Sequence, residues 1–325
     1  MIRSLPALAA LMLPLAAGAL DLQAHRGARG LAPENTLPAF AAALSIGVTT
    51  LELDLGVTRD GVVVISHDAT LNPDIVRGPD GRWLEQRGPA INALRFEELQ
   101  RYDVGRLKPG TNYAARYPLQ QSVDGTRIPR LADLFALVRR AGNETVRFNI
   151  ETKLDPDKPG ETPLPEAFAR VVIAALREAG MTARSTIQSF EWRTLQVVQK
   201  EAPEIATVYL SAQQRWLDNI AADSLLGSGW TAGIRYRDHG SVPKMVKAAG
   251  GAIWSPYFGD LDEAKLKEAR ALGLKVVVWT VNDPAAIDSM LALGVDGIIS
   301  DYPDRVREQM ARRGLALPPP TPILP

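Results

Sequence analysis

Short β-branched segments alternate with Ala-rich amphipathic segments along most of the chain, and this alternation is the strongest constraint on its fold. Several amphipathic segments end in Gly, which commonly follows the last turn of a helix. Strands that alternate with helices indicate βα units and a parallel sheet. The candidate strands are residues 21–25, 49–55, 145–151, 185–190, 205–210, 251–256, 275–281 and 296–301.

One further β-branched run, residues 62–66, does not fit this pattern. Only residues 58–61 separate it from the strand before, and Asp60-Gly61 is typical of a hairpin turn. We therefore expect the run to fold back antiparallel on the second strand. The eight remaining strands predict an α/β fold, a (β/α)8 TIM barrel, with a doubly wound open sheet as the alternative.

The alternation is lost between residues 69 and 130, where Gly, Pro, Arg and turn dipeptides dominate. A structureless loop of that length is unusual inside a compact domain. We expect a small inserted subdomain between the second and third barrel strands, with one or two short helices such as residues 94–101. Because the segment leaves the hairpin that carries His67, it should lie over the barrel mouth, where barrel active sites are built.

The two ends of the chain differ from the barrel in composition. Residues 1–19 combine a basic residue, an apolar run and a small-residue cleavage pattern, which indicate a secretory signal peptide, with an uncleaved membrane anchor as the alternative. We therefore expect a barrel domain over residues 20–312 in a periplasmic or secreted protein, without stable membrane insertion after cleavage. The Pro-rich residues 313–325 are expected to be disordered.

Charge and cysteine content exclude several kinds of function. Lys plus Arg and Asp plus Glu both number 37, so no overall positive field would recruit nucleic acid. The chain has no cysteine, which excludes a disulfide framework and thiolate catalysis. Any function that uses charge must therefore be local, as in the recognition of a small molecule.

Three carboxylates are candidate metal ligands. Glu52 and Asp54 stand two residues apart in a strand, so both point to one face while leucines point to the other. Two such buried charges repel each other and need a cation, which Arg or Lys would supply in a purely structural role. Glu151 ends the next barrel strand and should reach the same rim. Three oxygen ligands without cysteine favour Ca²⁺ or Mg²⁺ over zinc.

Two of the three histidines also end predicted strands at this rim. His25 ends the first strand, and His67 ends the returning arm of the hairpin. Either one alone is most simply structural, but two imidazoles beside a metal can act as general base and general acid at neutral pH. Arg26 and Lys153 add positive charge with donors suited to phosphate oxygens. Together these residues predict in-line attack on a phosphodiester.

Neighbouring polar residues have simpler interpretations. Residues 33–36, Pro-Glu-Asn-Thr, favour capping at the start of the first helix. Asn35 could instead hold His25 or a metal-bound group, although capping is the preferred interpretation. His239 lies in a polar turn away from every predicted strand end, so we expect a surface residue.

Seven motifs follow one another along the chain: HRG (25–27), PENT (33–36), ELD (52–54), HD (67–68), NIETK (149–153), VWTVN (278–282) and DGIISDYP (296–303). In this order and spacing the chain resembles the glycerophosphodiester phosphodiesterases. The resemblance implies a (β/α)8 barrel that hydrolyses glycerophosphodiesters to sn-glycerol 3-phosphate and an alcohol. The segment 69–130 resembles the larger insertion of periplasmic members of the family.

The resemblance also implies a role for each site residue. In the family, the residues matching Glu52, Asp54 and Glu151 hold Mg²⁺ or Ca²⁺, and those matching His25 and His67 form the acid/base pair. Arg26 and Lys153 match phosphate-contacting positions, Trp279 matches an aromatic residue on the glycerol side, and Gln188 and Phe190 match a strand end. Trp279 could equally be a barrel packing residue.

Three other functions compete with this interpretation. A phospholipase D of the sphingomyelinase type would use the same barrel and the same histidines and carboxylates on intact lipids, but predicts an apolar lid where residues 69–130 are mostly polar. A glycoside hydrolase would use paired acids but leaves both histidines and Lys153 unexplained. A catalytically silent binding protein would need a defect outside the five core residues, all of which are present.

Overall fold

The structure, a computed structural model, describes residues 19–323 and contains a closed barrel of eight parallel strands. The predicted (β/α)8 TIM barrel is confirmed, and the alternative of an open sheet is wrong. The predicted signal peptide lies outside the described residues apart from Ala19. The strands are β1 (Asp21–Ala24), β2 (Thr50–Val57), β3 (Val63–Ile65), β4 (Arg147–Thr152), β5 (Ser185–Ser189), β6 (Ala206–Ser211), β7 (Gln213–Gln214), β8 (Leu217–Asp218), β9 (Ile253–Pro256), β10 (Lys275–Val278) and β11 (Gly297–Ser300).

The barrel closes between its first and last strands. Around the ring the order is β1, β2, β4, β5, β6, β9, β10 and β11, and all neighbours are parallel. Ala24 of β1 pairs with Ser300 on one side and with Leu51 on the other, which joins the two ends of the sheet. Because all eight strands run the same way, their carboxyl ends open at a single rim.

The β-branched run outside the barrel count forms the predicted hairpin. Strand β3 pairs antiparallel with the end of β2, with Leu55 opposite Ile65 and Val57 opposite Val63. The Asp60-Gly61 turn joins them. This hairpin returns the chain to the rim of the barrel, where His67 follows β3.

Helices cover the outside of the barrel and bury one face against it. Phe40, Phe135, Phe168 and Trp192 are among the largest fully buried side chains. Within residues 19–323, no helix is both long and apolar enough to cross a membrane. The helices are α1 (Leu37–Ile46), α2 (Phe96–Leu99), α3 (Asn112–Ala115), α4 (Leu131–Arg140), α5 (Pro165–Ala179), α6 (Trp192–Glu201), α7 (Tyr236–His239), α8 (Val242–Ala248), α9 (Glu263–Ala271), α10 (Pro284–Leu293) and α11 (Pro303–Arg312).

The long segment between β3 and α4 has little regular structure. Its two short helices are α2, which falls within the predicted 94–101, and α3. The segment has an apolar cluster of its own, separate from the main core. That it is an inserted subdomain stays a prediction. The buried members of the cluster are Val64, Leu71, Val76, Ile91, Leu99, Val104 and Ile128.

The Pro-rich tail has contacts with the barrel surface. Residues 313–323 contain no helix or strand, and that the tail is disordered stays a prediction. The Thr321 backbone N–H donates to the carbonyl of Leu44 at 2.8 Å, and Asn143 Nδ2 donates to Thr321 Oγ1 at 2.9 Å. Proline prevents regular structure, but an extended chain can still form hydrogen bonds to a neighbouring helix and loop.

The turn after β1 depends on one glycine. His25 to Gly27 form a single 3-10 turn, and Gly27 has φ +77°, in the left-handed region that favours glycine. A Cβ atom there would lie 2.8 Å from Phe40 Cδ1 and 2.9 Å from the Phe40 backbone nitrogen. The tight approach to α1 therefore fixes the position of His25.

Gly27→Ala should lower the free energy of unfolding by about 2–5 kcal/mol, since left-handed backbone strain and overpacking add. Gly273→Ala is the matched control, because Gly273 has φ +75° but no atom within 4 Å of an added Cβ. The control should lose only about 1–2 kcal/mol. Urea unfolding of both variants measures the difference, and equal losses would contradict the packing argument.

Candidate active site

Three buried carboxylates meet at the carboxyl-end rim of the barrel. Glu52 and Asp54 lie on one face of β2, and the register of β2 with β4 places Asp54 beside Glu151. One oxygen atom from each carboxylate lies within 4.8 Å of the others, and no side chain is more than 8% exposed. The structure thus brings together the three residues predicted to bind a metal.

Each carboxylate is held by donors from a different part of the chain. Glu52 accepts the Arg26 backbone N–H on Oε2 at 2.8 Å and Gln188 Nε2 on Oε1 at 2.7 Å. Asp54 Oδ2 accepts Asn35 Nδ2 at 2.9 Å. Asp54 Oδ1 is buried without a hydrogen bond among the described residues. Three clustered oxygen ligands, one of them unsatisfied, fit a Ca²⁺ or Mg²⁺ ion.

The carboxylates shift one another's pKa values. Burial raises the pKa of Glu52 well above its usual range, and the Asp54 charge raises it further. Burial raises the pKa of Glu151 to about 7, although Lys153 opposes the shift. Burial alone would raise the pKa of Asp54, but Arg26, His67 and Lys153 together lower it. Without a cation, the cluster therefore favours the charged form of Asp54 and the protonated forms of Glu52 and Glu151.

His25 lies beside this cluster and is fixed by an aspartate. Its Nδ1 lies 2.6 Å from Asp301 Oδ1, and its Nε2 lies 3.9 Å from Glu52 Oε2. Asp301 also accepts hydrogen bonds from Arg29 and Asn282. Burial, together with the Arg29 charge, lowers the pKa of His25 to about 4. The imidazole is therefore neutral at pH 7, with Nε2 directed at the carboxylates.

His67 has the same kind of support. Its Nδ1 lies 2.8 Å from Asp68 Oδ1, and Asn72 Nδ2 donates to Asp68 Oδ2 at 2.7 Å. Burial, with the charges of Arg26 and Lys153, lowers the pKa of His67. An ionised carboxylate only accepts hydrogen bonds, so Nδ1 of each histidine carries the proton and Nε2 is left as an acceptor.

The two predicted phosphate contacts are already paired with acids. Arg26 Nη1 donates to Glu34 Oε1 at 2.7 Å, and Arg26 Nε lies 3.2 Å from Asp54 Oδ2 without hydrogen-bond geometry. Lys153 Nζ lies 2.8 Å from Glu151 Oε1 and 3.9 Å from Asp54 Oδ1. Both cations line the central cavity, so an anionic ligand would approach them from the open side.

A cavity of about 1000 Å³ connects these residues to solvent. Trp279 forms part of one wall, where its ring packs edge-on against Phe190 at 5.2 Å and its Nε1 donates to the Ser255 carbonyl at 2.9 Å. Trp279 therefore both packs in the wall and faces the cavity. The predicted residues that line it are His25, Arg26, Glu52, His67, Glu151, Lys153, Gln188, Phe190 and Trp279.

Sequence reasoning missed several residues that support the site. Asp301 follows the last barrel strand, and because β11 pairs with β1, its position beside His25 follows from barrel closure. Glu34 is buried between Arg26 and the Tyr113 hydroxyl, which donates to it. Tyr113 belongs to the segment 69–130, which was expected over the barrel mouth, but no sequence pattern indicated which of its residues would reach the site.

The preferred interpretation of Asn35 is wrong. Thr36 caps α1, since its side chain accepts the Ala39 backbone N–H. Asn35 instead binds Asp54 through both atoms of its amide, donating through Nδ2 and accepting the Asp54 backbone N–H on Oδ1. His239 lies in α7 and does not line the cavity.

Comparison with known proteins gives a consistent result. The model of the glycerophosphoryl diester phosphodiesterase family matches residues 25–305. A glycerophosphodiester phosphodiesterase of Caldanaerobacter subterraneus is 27% identical over 291 residues, which cover 90% of this chain and 98% of the relative. A crystal structure from Silicibacter pomeroyi, provisionally assigned to the same activity, has a TM-score of 0.82 at 34% identity and covers 92% of this chain and 95% of its own.

A more distant structure has a ligand in its site. The Oleispira antarctica phosphodiesterase, solved in complex with the product sn-glycerol-3-phosphate, has a TM-score of 0.64 at 22% identity. The match covers 90% of this chain and 97% of that one. At this identity the likeness shows the shared fold.

In chelator, the free energy of unfolding should fall as pH rises from about 4.5 to 7. The Glu151 pKa is raised from 4.5 to about 7, so the folded protein binds this proton more tightly and loses that stabilisation as pH rises. The loss should be of the order of 3 kcal/mol. Glu151→Gln should remove this part of the pH dependence, whereas Glu178→Gln, at an exposed position on α5, should not. Urea unfolding in EDTA at pH 5 and pH 7.5 measures it, and parallel profiles for all three proteins would contradict the assignment.

Proposed function

We propose that this chain, which belongs to the glycerophosphoryl diester phosphodiesterase family, hydrolyses glycerophosphodiesters to sn-glycerol 3-phosphate and an alcohol with a bound divalent cation. Family membership makes it a glycerophosphodiester phosphodiesterase. The observation that carries the finer proposal is the meeting of Glu52, Asp54 and Glu151 beside a cavity that both His25 and His67 line. The product named for the Oleispira antarctica relative supports sn-glycerol 3-phosphate as the product here.

The carboxylates Glu52, Asp54 and Glu151 would hold Ca²⁺ or Mg²⁺. When bound, such an ion neutralises charge that develops on the phosphate oxygens. Arg26 and Lys153 lie beside the same carboxylates and would bind phosphate oxygens from the cavity side. These contacts would orient the phosphorus for in-line attack.

The two histidines would transfer the protons. One Nε2 would take a proton from the attacking hydroxyl, which belongs either to water or to the 2-hydroxyl of the substrate. Attack by the 2-hydroxyl would give a cyclic phosphate, which water would then open to sn-glycerol 3-phosphate. The other imidazole would first take up a proton from solvent on Nε2, which the negative charge of the bound phosphate favours, and then give it to the oxygen of the leaving alcohol as the P–O bond breaks. Asp301 and Asp68 bind the Nδ1 atoms and so keep both Nε2 atoms directed into the cavity. Trp279 would pack against the glycerol carbons.

A second candidate function is that of a phospholipase D of the sphingomyelinase type acting on intact lipids. One observation favours it: Trp216 lines the cavity, is 60% exposed and contacts the rings of Tyr257 and Trp279. An exposed aromatic rim of this kind would accept an acyl chain. The two candidates differ in which substrate is turned over faster.

The proposed function is tested with a panel of glycerophosphodiesters and coupled detection of glycerol 3-phosphate. We expect release of glycerol 3-phosphate that EDTA abolishes and that added Ca²⁺ or Mg²⁺ restores. Lysophosphatidylcholine and sphingomyelin, followed by choline release, complete the panel. Turnover of these lipids alone would replace the proposal by the second candidate, and turnover that EDTA leaves unchanged would contradict the role of the carboxylates.

His25→Ala and His67→Ala should each lower kcat by about 10²- to 10⁴-fold, because each removes one proton-transfer group. His239→Ala is the matched control and should keep wild-type activity, since His239 lies on α7 away from the cavity. Circular dichroism checks that all three variants fold. Wild-type turnover in either cavity variant would exclude that histidine from catalysis.

A further inference from the structure

The interior of the barrel below the carboxylates contains a chain of polar side chains, where barrels usually pack branched apolar residues. Gln23 on β1, Asn149 on β4 and Gln188 on β5 are at most 4% exposed. Asn149 is the register partner of Glu52, and Gln188 is the register partner of Glu151. Asn149 and Gln188 therefore lie next to the carboxylates of the proposed cation site, in the interior of the barrel.

These amides form one continuous set of hydrogen bonds. Asn149 Nδ2 donates to Gln188 Oε1 at 2.8 Å and to Gln23 Oε1 at 2.9 Å. Gln188 Nε2 then donates to Glu52 Oε1 at 2.7 Å, and Gln23 Nε2 donates to Asp21 Oδ2 at 3.0 Å. We call this set, Asp21, Gln23, Asn149, Gln188 and Glu52, the amide chain.

The direction of every hydrogen bond in the amide chain is set by its two ends. When a bound cation keeps Glu52 ionised, both end carboxylates only accept, so Gln188 and Gln23 must each present NH₂ to them and turn their carbonyl oxygens toward Asn149. Asn149 must then supply two N–H groups from one nitrogen, while its Oδ1 accepts Thr186 Oγ1 at 2.8 Å. An asparagine amide satisfies all three contacts, whereas aspartate or leucine at this position does not.

We propose that Asn149 is a positioning residue that orients Gln188, and through it Glu52, for cation binding. The proposal rests on the proposed function, because it assumes that Glu52 is a metal ligand. Asn149 does not line the cavity, so it acts only through Gln188. The N–H that Gln188 gives to Glu52 Oε1 fixes the carboxylate plane and favours its charged form, as residues behind a metal ligand commonly do.

The test is the affinity of the folded protein for Ca²⁺ and Mg²⁺, measured by isothermal titration calorimetry without substrate. Asn149→Leu keeps the branched shape but removes both N–H groups, and Gln188→Met removes the donor to Glu52. Each should weaken cation binding by about 10- to 100-fold. Gln23→Met is the matched control, because it removes a buried amide from the other end of the amide chain. It should change the cation affinity by less than about 3-fold, well under the 10- to 100-fold loss expected for the other two variants.

Three outcomes separate the possibilities. Wild-type affinity in Asn149→Leu and Gln188→Met would overturn the amide chain's role and leave the proposed cation site intact. Equal weakening in Gln23→Met would also overturn it, because general disturbance of the barrel interior would then explain the loss. If the wild-type protein binds neither ion, the proposed function and this inference both fail. If Asn149→Leu does not fold, the same affinity measurement is made on Gln188→Met and on Thr186→Val. Thr186→Val removes the hydroxyl that donates to Asn149 Oδ1.

Discussion

Crowding three carboxylates into one buried rim is the constraint on which the rest of the site depends. Mutual repulsion and lost hydration would cost several kcal/mol if the groups were left unpaired. Donors from separate parts of the same chain stabilise the carboxylates. They are the Arg26 backbone and side chain, the Asn35 amide, the Gln188 amide and the Lys153 ammonium. The left-handed φ angles of Arg26 and Asn35, +49° and +56°, belong to the turns that bring these donors to the acids.

The parts of the site that follow from strand geometry could be predicted from sequence. A period of two places Glu52 and Asp54 on one face, and parallel pairing places Glu151 beside them. The same reasoning gave all eight barrel strands and the antiparallel hairpin, because each depends on local alternation and on a recognisable turn. His25 and His67 were located because each follows directly on a strand that ends at the rim.

The parts that depend on loop paths could not be predicted in the same way. Asn35 matched a capping motif. Its hydrogen bond to Asp54 depends on a left-handed backbone conformation that the motif does not specify. Tyr113 lies in the irregular segment 69–130 and donates to Glu34, which precedes it by 79 residues in the sequence. Gln23 and Asn149 lie in strands that the sequence pattern predicted to be buried. The pattern did not indicate that polar side chains would pack inside the barrel. Only the closed barrel brings their amides into contact.

Charge balance explains why such a site would require a divalent cation for a phosphate substrate. Among the described residues, the four acids Glu34, Glu52, Asp54 and Glu151 are paired with two cations, Arg26 and Lys153, while the nearby Arg29 is paired with Asp301. A phosphodiester carries a negative charge, so the excess of acids would repel it or would have to be neutralised by protons. One divalent ion compensates the two excess negative charges and leaves the carboxylates ionised. Burial raises the pKa values of Glu52 and Glu151 and the Asp54 charge raises them further, so a divalent ion at this position would favour their ionised forms and would give the unsatisfied Asp54 oxygen a partner.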